Sequence, residues 1–246
     1  MKVKYLTCGG LTEQTNIDSV LKLAEKYPLA EFAVGISTKI NEPNDPRFEW
    51  LMKLVERVRQ EGLRINLSIR LSMEATCIFI KDYFSPQMRQ LFSCGNKNAE
   101  PIFGRVKLDD IIIKAEQIRL LRQILKNNPA HRFILPCTEK NQIVLSTLYD
   151  ESHVMFDVID QYAVKGDELE AEKNRPTWEH ILQGLGGDIS AENVKDVLSE
   201  AKRQYPFDEI YLEAEKGLQD ENKNFSVEKA ELFLEQATEW ISQNPM

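Results

Sequence analysis

The chain has 246 residues, 42% hydrophobic and 28% charged, with 31 Lys+Arg against 39 Asp+Glu for a net charge of −8. An acidic chain without a basic run has no electrostatic reason to hold a phosphate backbone, so nucleic acid is not an expected partner. No apolar stretch approaches the roughly 18 residues of a membrane helix, and Met1–Leu6 is too short and too charged for a secretory leader. The cysteines Cys8, Cys77, Cys94 and Cys137 form no CxxC pair, and no His/carboxylate grouping has metal spacing. The expectation is a cytoplasmic protein with reduced thiols, no membrane partner and no metal or cofactor.

Short β-branched runs alternate with amphipathic segments along the whole chain, which predicts parallel βα units. The first strand reads from Val3 to Cys8, and Asn16 opens a helix carrying Val20, Leu21, Leu23 and Ala24. Phe32 to Ile36 is the second strand; its helix starts near Phe48 and stops at Gly62. Arg64 to Leu71 is the third. An irregular segment from about 72 to 100 follows, with an apolar patch at Cys77–Ile80 and a short helix around Pro86 to Phe92. Gly104 to Leu108 leads into a helix from Ile111 to Leu125, and Arg132 to Pro136 into one over Gln142 to Tyr149. The sixth strand reads as Val154 to Val158, with the charged stretch Lys165 to Arg175 as a solvated loop. Ile181 to Gln183 runs into Gly184-Leu185-Gly186-Gly187 and a helix capped by Ser190. Glu209 to Leu212 is the last strand, and the final helix, Val227 to Ile241, is capped by Ser226. Eight strands in a chain near the roughly 250 residues of an eight-unit barrel predict an α/β fold, a single-domain (β/α)8 TIM barrel over 1–246. A dinucleotide fold would want GxGxxG after the first strand, and Cys8-Gly9-Gly10-Leu11-Thr12 does not supply it.

In such barrels chemistry sits at the C-terminal ends of the strands. That rule selects Cys8, Arg70, Asp109, Asp157, Gly186, Gly187 and Glu213, with Lys107 beside them. Cys8, before two glycines, is either a nucleophile or general base with a lowered pKa, or a small packing residue. Asp157 is either a desolvated general acid or a buried partner for a loop N–H. Gly186-Gly187 before a capped helix start leaves backbone N–H groups for an anion, or simply makes a tight turn.

These residues resemble the phosphoribosylanthranilate isomerases of tryptophan biosynthesis. Lys4-Tyr5-Leu6-Thr7-Cys8-Gly9 is similar to the family's first strand, Asp45-Pro46-Arg47 to its Ser-Pro-Arg, and Phe156-Asp157 to its Leu-Asp, with Trp178 following. Gly186-Gly187-Asp188-Ile189-Ser190-Ala191-Glu192-Asn193-Val194 resembles the Gly-Gly-Leu-Ser-Pro-Glu-Asn-Val that follows the seventh strand, with one insertion, and Lys223-Asn224 its late Lys-Asp. The resemblance implies an Amadori rearrangement of a phosphoribosyl amine in amino-acid biosynthesis. Cys8 would be the base and Asp157 the acid, with Arg47, Gly186 and Gly187 on the substrate. The chain departs from the pattern at Lys107-Leu108-Asp109-Asp110, at Leu169 to Arg175, and at Leu212-Glu213-Ala214-Glu215. The last puts carboxylates where the family cradles phosphate. The alternatives are a barrel enzyme for another small metabolite, its mouth built from Lys107, Asp109, Arg70 and Glu213, or a ligand-binding barrel without catalysis.

Overall fold

The computed structural model describes residues 1–36, 45–81, 86–95, 100–109, 112–149, 156–165, 168–170, 181–206 and 208–245. Trp178, and part of the 72–100 segment, lie outside them. The strands are β1 (Lys2–Leu11), β2 (Ala30–Ile36), β3 (Asn66–Leu71), β4 (Phe103–Leu108), β5 (Arg132–Pro136), β6 (Phe156–Lys165), β7 (Glu168–Glu170), β8 (Gln183–Gly187) and β9 (Glu209–Ala214). Between them run α1 (Ile17–Lys26), α2 (Pro46–Glu61), α3 (Met73–Ile80), α4 (Pro86–Ser93), α5 (Ile118–Asn127), α6 (Gln142–Tyr149), α7 (Val194–Gln204) and α8 (Val227–Gln243). The sheet order is β5-β4-β3-β2-β1-β9-β8-β6-β7, and β5 also pairs with β6. That pairing closes eight strands into a (β/α)8 barrel. Among the described residues no helix is long and apolar enough to cross a membrane.

Backbone contacts divide the chain into two compact units, residues 1–33 with 159–246, and residues 34–158. In the first, β9 lies between β1 and β8, parallel to both, in a register that sets Thr7 beside Glu213 and Glu213 beside Gly186. Side chains alternate across a strand, so Leu6 and Cys8 share one face with Leu212 and Ala214. Thr7 shares the other with Tyr211 and Glu213. A Cβ on Gly184 would sit 2.1 Å from Tyr211 Cζ; the strand needs glycine there because the Tyr211 ring occupies the space. Asn16 accepts the Ser19 N–H at 2.9 Å and Ser226 the Lys229 N–H, the helix starts expected of both residues. The Trp240 indole N–H reaches Ser199 Oγ at 2.9 Å and ties α8 to α7.

In the second unit β3, β4 and β5 run parallel, with Ser68 beside Arg105, Arg70 beside Lys107, and Arg105 beside Arg132. Gly62 closes α2 in the left-handed region, φ +66°, as its place after the helix predicts. In the 72–100 segment the short helix expected around Pro86 to Phe92 is α4, Pro86–Ser93, and the Cys77–Ile80 patch belongs to a further helix, α3. Two elements differ more substantially. The sixth strand is described over Phe156–Lys165 and runs past Val158, its expected end, so Asp157 does not lie at its C-terminal end. Within the stretch expected as a loop, Glu168–Glu170 pairs back as β7, antiparallel to β6, with Lys165 opposite Glu168. Glu168 and Glu170 flank the single apolar Leu169, a pattern too short to mark that hairpin.

Candidate functional site

The second unit carries two tiers of charge on the inward-alternating positions of its strands. The upper tier lies at the C-terminal ends of β3 and β4. Asp109 follows β4 directly, its backbone N–H bonded to Leu71 O at 2.9 Å, which keeps it beside the end of β3. Its Oδ2 accepts Arg70 Nε–H at 3.1 Å and its Oδ1 stands 3.2 Å from Lys107 Nζ. The three side chains are between 10% and 20% exposed. They are desolvated enough for charge to count.

The lower tier is two residues earlier along the strands. Asp157 is fully buried; its Oδ2 stands 3.3 Å from Arg105 Nη2, and its Oδ1 accepts the Arg132 Nε–H in a short contact. Burial pushes the Asp157 carboxyl above its ordinary range, and the Arg105 and Arg132 charges pull against that. Neither Arg105 nor Arg132 was expected at a site. Arg105 and Lys107 at alternate positions of one strand were the available signal, since charge at alternate places in a strand buried on both faces must find partners inside. Asn141 was missed as well. It is wholly buried, accepts Ile113 N–H at 2.7 Å and donates to Pro136 O at 3.0 Å. It thereby fixes the segment after Asp109 to the end of β5.

Arg47 sits in the first turn of α2, where its Nη1 donates to Gly35 O at 3.1 Å and its backbone N–H is capped by Asp45 at 2.8 Å. This places Arg47 as a clamp between the helix start and the end of β2.

In the first unit Cys8 is fully buried, on the apolar face of β1. Burial, reinforced by the Glu31 charge, raises its thiol pKa far above the ordinary value. On the opposite face Thr7 Oγ1 donates to Glu31 Oε2 at 2.7 Å, both side chains buried, and Glu213 lies beside Thr7 in register. Gly187 takes φ +127°, which favours glycine. The turn beyond Gly186 and Gly187 is largely committed to itself. Ser190 N–H is bonded by Asn193 Oδ1 at 2.9 Å, Ile189 N–H by Gly187 O at 2.9 Å, and α7 opens at Val194 rather than at Ser190. Gly217 packs against the same turn, where a Cβ would lie 2.3 Å from Ile189 O.

The closed parallel sheet with its polar strand ends is that of a TIM barrel. No protein-family model matches the sequence, and no curated protein matches it. Among solved structures, the crystal structure of phosphoribosyl anthranilate isomerase from Thermus thermophilus is similar at TM-score 0.51 and 13% identity, covering 97% of this chain and 99% of that one. TrpF from Jonesia denitrificans is similar at TM-score 0.56 and 11% identity, covering 98% and 99%. The glycoside hydrolase family 30 subfamily 8 xylanase Xyn30A from Clostridium acetobutylicum reaches TM-score 0.57 at 8% identity, covering 96% and 71%. At these identities the likeness is one of fold.

Proposed function

We propose that the chain is a barrel enzyme acting on a small anionic metabolite held at the ends of β3 and β4. The observation that carries this is the convergence of Arg70, Lys107 and Asp109 at strand ends, largely desolvated and interlocked. Arg70 and Lys107 bind a carboxylate or phosphate of the substrate, and Asp109 orients both cations. Calorimetric titration of inorganic phosphate into wild type, Arg70→Gln and Lys107→Gln tests it. Saturable binding weakened by each variant is expected; equal binding by all three overturns it.

The second reading is phosphoribosylanthranilate isomerisation, with Cys8 as base and Asp157 as acid. Two isomerase-type neighbours match over nearly their full length, which favours it. Against it stands the protonation that the mechanism needs. A base must lose its proton near neutral pH, and the buried Cys8 thiol holds its proton more tightly than a free one. Turnover of phosphoribosylanthranilate by wild type, abolished in Cys8→Ser, would establish this reading over the first.

A further inference from the structure

In the second unit β2 lies beside β3, and one bond fixes their register. Ser72 N–H reaches Ile36 O at 3.0 Å, as Asp109 N–H reaches Leu71 O at 2.9 Å. The latter bond goes with a register that sets Leu71 beside Leu108 and Arg70 beside Lys107. The former therefore sets Ile36 beside Leu71 and Gly35 beside Arg70. Gly35, Arg70 and Lys107 form one row across β2, β3 and β4, on one face of the sheet.

Neither backbone conformation nor packing against the described residues requires glycine at this place. The φ of Gly35 lies outside the left-handed region. Among the described residues no atom stands within 4 Å of where a Cβ would be. Gly184 is the contrast, because there the Tyr211 ring fills the space. Gly104 also faces open space, but it is exposed and alternates to the face opposite Arg105 and Lys107. A glycine inside a strand weakens it, and one that neither φ nor packing explains marks a place where a ligand comes close to the backbone. The backbone around Gly35 is held: Arg47 Nη1 donates to Gly35 O at 3.1 Å, and Ile36 O takes the Ser72 N–H. Those two bonds keep the space in place beside Arg70.

We propose that Gly35 determines the size of ligand that the anion site accepts. The acidic group lies on Arg70 and Lys107, and the carbon body attached to it lies in the space over Gly35. This rests on Arg70 and Lys107 being the anion site. It makes the substrate an organic phosphate or carboxylate whose body begins next to the acidic group, rather than a free inorganic anion.

The test titrates inorganic phosphate and n-butyl phosphate, whose chain has the carbon count of a leucine side chain, calorimetrically into the full chain. Wild type is expected to bind butyl phosphate at least as tightly as inorganic phosphate. Gly35→Leu should keep inorganic phosphate within about threefold and weaken butyl phosphate about tenfold or more. Gly35→Ala should weaken butyl phosphate by less, and its Tm should equal or exceed that of wild type, which a glycine kept for packing would not allow. If circular dichroism shows Gly35→Leu unfolded, the affinity ratio in Gly35→Ala decides. Arg70→Gln should weaken both probes alike. The proposal is overturned if wild type binds butyl phosphate about tenfold more weakly than inorganic phosphate, if substitution of Gly35 leaves the ratio of the two affinities unchanged, or if Gly35→Ala lowers Tm. Phosphate binding that depends on Arg70, with a ratio indifferent to residue 35, removes this inference and leaves the anion site standing; no phosphate binding to wild type removes both.

Discussion

Arg70 donates through Nε to Asp109 Oδ2 at 3.1 Å, so residues from the ends of two neighbouring strands lock each other in place. The loop segment after Asp109 is in turn held by the buried Asn141 through Ile113 N–H. The upper tier is therefore pinned from both its strand side and its loop side. Removing the Asn141 amide in Asn141→Ala leaves a buried N–H and a buried carbonyl without their partner. The expected cost is roughly 1–3 kcal/mol, read from the urea unfolding midpoint. In the same variant, phosphate affinity should fall although no ligand-contacting group was touched. Unchanged affinity would mean that Asn141 plays no part in positioning the tier.

The lower tier is structural on this account. Asp157→Ala leaves two guanidiniums facing a vacated carboxylate site, and breaking a buried pair from one side costs about 3–5 kcal/mol. Denaturant unfolding of Asp157→Ala checks this. A loss below about 1 kcal/mol, with activity gone, would instead mark Asp157 as a chemical group.

Cys8 should be inert in the native state. Only the thiolate reacts with alkylating agents, and Cys8 combines full burial with a raised pKa, whereas Cys77 is exposed. Iodoacetamide at pH 8 followed by peptide mass spectrometry should find Cys77 modified first and Cys8 unmodified until the chain is unfolded. Rapid Cys8 labelling would restore it as a candidate base.

The alternation of strands and helices was legible because apolar periodicity is a local signal. β5 and α6 fall on the residues that pattern marks out, Arg132–Pro136 and Gln142–Tyr149. The strand-end rule also drew attention to Arg70, Lys107 and Asp109, which the fold brings together. Arg105 and Arg132 stayed hidden because their meaning depends on Asp157, which lies on a strand that continues to Lys165, past the end the apolar pattern suggested. Partnership between strands distant in sequence is set by sheet order and register, and no window of a single strand contains it. For Cys8 the place near a strand end was readable and left two readings open, because the face it occupies follows from the register of β1 with β9.

His131 gives a pH dependence with a definite sign. Its folded pKa is lowered from the ordinary 6.5, chiefly by burial. The unfolded chain therefore takes up the proton first as pH falls, and stability present above about 6.5 is lost on the way down through the folded pKa. Urea midpoints at pH 7.5 and 5.5 should differ more for wild type than for His131→Gln. Equal differences would mean that His131 is not the group responsible.

The central claim is that Arg70 and Lys107 hold the anionic part of a small metabolite. Thermal unfolding against a panel of phosphorylated and carboxylated sugars and amino acids tests it most directly, on wild type and on the Arg70→Gln, Lys107→Gln double variant. A ligand at a hundred times its Kd contributes about 2.7 kcal/mol to the folded state. In a chain of this size that corresponds to a rise in Tm of about 5 °C or more. The account predicts such a rise for at least one anionic compound in wild type and none for that compound in the double variant. The same rise in both proteins, or no rise with any compound, would contradict it.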